Sequence, residues 1–65
     1  MAIKHMTYRN LMIVIHKIQA KGWSFDESER MARNIFSEFS ARPLGMSIEE
    51  RINRIMTRQE WEAQL

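Results

Sequence analysis

The chain has 65 residues, a formal net charge of +2 and no cysteine. A chain this short forms one domain, near the lower size limit for independent folding, and neither a disulfide nor a thiolate metal site can support its core. Its hydrophobic fraction of 45% and charged fraction of 28% are typical of a globular domain and argue against disorder. The apolar run "LMIVI" is too short for a signal-peptide core or a membrane span, so we expect a cytoplasmic protein without membrane contact.

The domain is predicted to begin at Thr7, which has the side chain of a helix N-cap. Residues 1–6 are interpreted as a leader that is flexible or partly vector-derived, and residues 7–65 as a single helical domain. The chain has one Pro/Gly segment, around Pro43 and Gly45, and no repeats, so nothing indicates a second domain.

The first helix is predicted over residues 8–21, with Gly22 following its end. A buried strand is the alternative for "LMIVI", but helical periodicity continues beyond that run and favours a helix. Ile13 lies off the apolar face and leaves some apolar surface outside it. The face covers an arc of roughly 160°, and it is formed by Tyr8, Leu11, Met12, Val14, Ile15 and Ile18.

The second helix is predicted over residues 25–40, because Ser24 and Glu27 form a capping box and acidic residues fill the first turn. Its apolar residues lie at core-facing helical spacing. This segment, "GWSFDESERMA", resembles a form common in small bacterial helical proteins, and the resemblance implies no function.

The third helix is predicted over residues 48–56, capped by Ser47. The sequence then repeats the capping pattern, because Thr57 precedes Glu60 by three residues. If the helix continued through Thr57, Trp61 and Leu65 would lie opposite the core. The second cap and the free energy of burying a tryptophan, on the order of 2–3 kcal/mol, favour a break, a short fourth helix near 58–64, and an inward-facing Trp61.

These elements predict an all-α fold, a compact three-helix domain with a short fourth C-terminal helix. The broad apolar face, the off-face Ile13 and the six methionines favour a small, non-enzymatic protein–protein interaction module. We expect its partner to be a second copy, forming a homodimer, or another protein. The predicted contact residues are Ile13, Val14 and Lys17, with Trp61 and Leu65 added if the C-terminal helix is continuous.

The arginines favour an alternative function, a regulator that binds nucleic acid through the arginine face of the third helix. Against it, four acidic residues each precede an arginine by four positions, which is typical of a solvated helix surface. These pairs are Asp26–Arg30, Glu29–Arg33, Glu38–Arg42 and Glu50–Arg54. The predicted nucleic-acid contacts are Arg30, Arg33, Arg51, Arg54 and Arg58.

No pattern indicates a metal, a cofactor or a small-molecule substrate. The two histidines, His5 and His16, lack a second ligand at metal-binding spacing. The acidic run beside Ser24 and Ser28 is explained by capping, and no glycine-rich phosphate loop is present. We therefore expect neither catalysis nor a bound cofactor.

Overall fold

The computed structural model describes residues 3–65, which contain four α-helices and no strand. This confirms the predicted all-α domain of three helices with a short fourth. No helix in this range is both long and apolar enough to cross a bilayer. The helices, named in chain order, are α1 Tyr8–Gln19, α2 Phe25–Ala41, α3 Ile48–Asn53 and α4 Arg58–Glu62.

Each helix begins after a hydroxyl side chain that accepts a hydrogen bond from the third residue of the helix. A hydroxyl at this position satisfies one of the free N–H groups of the first turn. At Ser24 and Thr57 the glutamate three residues later also accepts the cap's own backbone N–H, which completes a capping box. The capping pattern therefore located all four helix starts correctly.

The core is formed by aliphatic side chains from α1, α2 and α3. The two long helices pack against each other and α3 closes one end. Ser28 is the only polar residue among the fully buried ones in residues 3–65, and its hydroxyl has no hydrogen-bond partner there. The buried apolar residues are Val14, Ile15, Ile18, Ala32, Ile35, Phe36, Ile48 and Ile52.

Three helices end earlier than predicted, and α4 is one of them, since it ends at Glu62 instead of residue 64. α1 ends at Gln19 instead of residue 21, because Gly22 takes a positive φ of +100° and its N–H bonds the Gln19 carbonyl. α3 ends at Asn53 instead of residue 56, where the chain closes with tight turns before Thr57.

The segment before α1 contacts the domain at Ile3, which packs against the core and donates its N–H to Glu49 Oε2 at 3.1 Å. Residues 1 and 2 of the predicted leader lie outside the described residues.

Candidate interaction surfaces

The loop between α1 and α2 holds the junction between α3 and α4. The backbone N–H of Arg58 donates to the carbonyl oxygen of Lys21 at 2.8 Å, and Lys21 Nζ donates to the carbonyl of Ile55 at 2.9 Å. Trp23 Nε1 donates to the carbonyl of Met56 at 2.9 Å. We call these contacts, between residues 21–23 and residues 55–58, the clasp.

The side chain of Arg58 adds two further contacts to the clasp. Its guanidinium lies 5.6 Å from the centre of the Trp23 ring, and its Nη1 lies 3.2 Å from Glu27 Oε1. Gly22 lies so close that a Cβ added to it would be 2.8 Å from Arg58 Cβ. The clasp therefore bonds the carbonyls of Ile55 and Met56, in the segment between α3 and α4, and it fixes the position from which α4 starts.

The predicted break at Thr57 is confirmed, but the prediction that it turns Trp61 and Leu65 inward is wrong. Trp61 is 48% exposed and Leu65 is 88% exposed. The reason is geometric: α4 has five residues, and it packs against none of the other three helices in residues 3–65. Arg58, at its first position, joins it to the rest of the domain through the Lys21 carbonyl and Glu27. Trp61 on α4 and Leu65 just after it are thus exposed apolar side chains, which we call the α4 face.

Of the three predicted contact residues in α1, one is buried and two are at least partly exposed. Val14 has 0% exposure and belongs to the core, which corrects its prediction as a contact residue, because the helix turns it directly towards α2 and α3. Ile13 is half-buried and Lys17 is exposed. Arg9 and Lys17 are exposed, lie about 80° apart around the helix, and form what we call the α1 solvent face. Tyr8, at the first position of the helix and about 100° round from Arg9, is 72% exposed, so the structure corrects its place on the predicted apolar face.

Four of the five arginines predicted as nucleic-acid contacts form ion pairs. Of the four predicted pairs, Glu29–Arg33 and Glu50–Arg54 are present. Glu38 bonds Arg51, between α2 and α3, in place of Arg42. Arg30 has no carboxylate within 4.0 Å in residues 3–65. The nitrogen–oxygen distances are 3.0 Å for Arg33–Glu29, 3.7 Å for Arg51–Glu38, 3.6 Å for Arg54–Glu50, 3.2 Å for Arg58–Glu27 and 3.4 Å for Arg58–Glu62.

Each of the two capping boxes lowers the pKa of its glutamate. The backbone N–H of Ser24 donates to Glu27 and lowers its pKa, helped by the Ser24 hydroxyl and, more weakly, by Arg58. The backbone N–H of Thr57 lowers the pKa of Glu60 in the same way. Both shifts are structural consequences of capping, since a hydrogen bond to the charged form favours ionisation.

An open groove of about 330 Å³ lies between α2 and α3, with Met31, Ile35 and Ile55 along it. Its charged side chains, Glu38 and Arg51, bond each other. Asn34 is its third polar lining residue. Within residues 3–65, no three metal-binding side chains come together.

No known protein family, curated protein or solved structure matches this chain. The features of the structure that bear on function are the α4 face, the α1 solvent face and the charges around them.

Proposed function

We propose that the chain is a small, non-enzymatic, cytoplasmic protein–protein interaction module that associates with a second copy of itself through the α4 face. The observation that carries this proposal is the exposure of Trp61, on a helix that packs against no other helix in residues 3–65, and of Leu65 just after that helix. Aromatic residues that are already ordered contribute strongly to interfaces, because they bury a large area with few rotatable bonds.

The α4 face supports self-association better than the α1 solvent face does. A symmetric dimer places the same surface of both copies in contact. Arg9 and Lys17 would then face their own counterparts, and like charges across an interface oppose association. The α4 face brings Trp61 and Leu65 to the contact, with Glu62 already bonded to Arg58 within its own chain.

The predicted arginine face of the third helix is divided by the break before α4: Arg51 lies in α3, Arg54 at its C-cap and Arg58 in α4. Each of these arginines bonds a carboxylate of this chain. A phosphate would have to displace those carboxylates, so the electrostatic gain of binding there is reduced.

Sedimentation velocity across the micromolar range tests the proposal. Wild type is expected to shift from monomer to dimer as concentration rises, and Trp61→Ala is expected to shift the transition to higher concentration. Phe25→Ala is the matched control, since Phe25 is 44% exposed and Trp61 is 48% exposed. Ile13→Ser is expected to leave association unchanged.

A second readout follows Trp61 itself. Its fluorescence, obtained as the difference between wild type and Trp61→Phe, is expected to be quenched by iodide in dilute solution and protected as concentration rises. The proposal is contradicted if wild type stays monomeric throughout the micromolar range. It is also contradicted if Phe25→Ala loses as much association as Trp61→Ala does.

A further inference from the structure

The charges of this chain are divided unevenly along its length. Residues 1–25 contain four Lys or Arg residues and no Asp or Glu, whereas residues 26–65 contain six arginines and all eight acidic residues. The formal charges of the two segments are therefore +4 and −2, which agree with the total of +2. This asymmetry indicates an anionic partner for the first segment.

The acidic residues of the second segment are almost all engaged within the chain. Glu29, Glu38, Glu50 and Glu62 bond arginines. The remaining glutamates accept backbone N–H groups: Glu27 that of Ser24, Glu49 that of Ile3 and Glu60 that of Thr57. The carboxylates are consequently occupied by arginines and helix caps, and little negative charge remains to balance the first segment.

The basic side chains of the first segment differ from these carboxylates in their contacts. Lys4, Arg9 and Lys17 are exposed, and no carboxylate lies within 4.0 Å of any of them in residues 3–65. Lys21 differs, because its ammonium group bonds the Ile55 carbonyl in the clasp. Arg9 and Lys17 are eight positions apart, about 12 Å along the helix at 1.5 Å per residue. That spacing reaches more than one phosphate of a nucleic-acid strand.

The exposed ring of Tyr8 favours a nucleic acid over other anionic partners. It is 72% exposed at the first position of α1, next to Arg9. An exposed aromatic ring beside a cation offers a platform on which an unpaired base can stack. A membrane surface fits less well, since Val14, Ile15 and Ile18 of α1 are in the core and are not free to insert among lipids.

We propose that the α1 solvent face, with Lys4 before it, binds single-stranded nucleic acid, with Arg9 and Lys17 bonding phosphates and Tyr8 stacking on a base. This surface is separate from the predicted arginine face of the third helix, and the proposal does not depend on self-association through the α4 face.

Fluorescence anisotropy with a labelled, mixed-sequence single-stranded DNA tests the proposal, starting at about 50 mM salt. The Arg9→Ala/Lys17→Ala double variant is compared with Arg33→Ala/Arg54→Ala, which removes the same charge from ion-paired positions. We expect the first pair to lose about tenfold or more in affinity and the second pair to lose little. The slope of log affinity against log salt should fall by about 1.4 for the first pair, because each phosphate contact on a single strand contributes about 0.7.

The stacking role of Tyr8 has its own variant. Tyr8→Ala is expected to weaken binding about fivefold or more without changing the salt slope, since stacking on an aromatic side chain contributes about 1–3 kcal/mol per base. Phe25→Ala, which also removes an exposed aromatic ring, is expected to bind as wild type does.

Four results would overturn the proposal. These are no binding at low salt, equal losses for the two double variants, no effect of Tyr8→Ala, and binding to vesicles of anionic lipid but not to the oligonucleotide. Far-UV circular dichroism of every variant, at the temperature of the binding measurement, confirms that each one is folded.

Discussion

Replacing Gly22 by alanine is expected to disturb the clasp more than any other change of one methyl group. Gly22 has a φ of +100°, in the region that side chains rarely adopt, and the new Cβ would lie 2.8 Å from Arg58 Cβ. Arg58 has little freedom to retreat, because its N–H bonds the Lys21 carbonyl at 2.8 Å and its guanidinium bonds Glu27.

The magnitude follows from these two effects. An alanine in the left-handed region costs about 1–2 kcal/mol. Displacing Arg58 weakens one backbone hydrogen bond, which contributes about 1 kcal/mol. The sum is about 2–3 kcal/mol, a large part of the roughly 3–10 kcal/mol expected for the unfolding of a domain of this size.

Gly45→Ala supplies the matched control. Gly45 also has a positive φ, +72°, but nothing lies within 4 Å of an added Cβ. It therefore carries the conformational cost alone, and the effect of alanine on the unfolded chain is the same for both variants. Urea unfolding followed by circular dichroism should place Gly22→Ala about 1 kcal/mol below Gly45→Ala, or about 4–8 °C lower in Tm. Equal losses for the two variants would refute the importance of the Gly22–Arg58 approach.

Three further predictions concern the caps and the core. Thr57→Ala should cost about 1 kcal/mol in urea unfolding, because it leaves an N–H of the first turn of α4 without its acceptor; an unchanged midpoint contradicts this. Ser28→Ala should raise the free energy of unfolding by up to about 1 kcal/mol more than the exposed Ser37→Ala does, since it removes a buried hydroxyl without a partner. Because capping lowers the pKa of Glu27 and of Glu60 in the folded state, these carboxylates contribute their full stabilisation above the ordinary glutamate pKa of 4.5. That stabilisation is lost as the pH falls from 4.5 through the lower pKa of the folded state. Glu60→Gln should therefore reduce the acid dependence of the urea midpoint, and an unaltered pH profile counts against this assignment.

The starts of the helices could be predicted because capping is a local property. Ser24 and Glu27 are three positions apart in the chain, and that spacing is sufficient for both of their hydrogen bonds to form. The same holds at Thr57, so the sequence favours the break before α4 over a continuous helix. The core residues of α1 and α2 followed from helical periodicity for a similar reason, since each helix turns its apolar face towards the other.

The clasp and the direction of Trp61 could not be predicted, because both depend on contacts between distant segments. Trp23 Nε1 bonds a carbonyl 33 positions away, and Arg51 bonds Glu38 on another helix. The inward prediction for Trp61 assumed that a new helix can turn its apolar side chains onto the core. α4 has five residues and packs against none of the other helices in residues 3–65, so it does not do so.

The clasp also connects the stability of the domain to the proposed self-association. It holds the start of α4 through Lys21, Trp23 and Arg58, while Trp61 stays exposed. An interface residue that is already positioned loses less conformational freedom on binding than one on a loose segment. Gly22→Ala should therefore weaken dimerisation even where the protein is still folded, although Gly22 is outside the α4 face. Gly45→Ala, compared at the same fraction of folded protein, should associate as wild type does. If both glycine variants dimerise with wild-type affinity, the orientation of α4 by the clasp has no part in association.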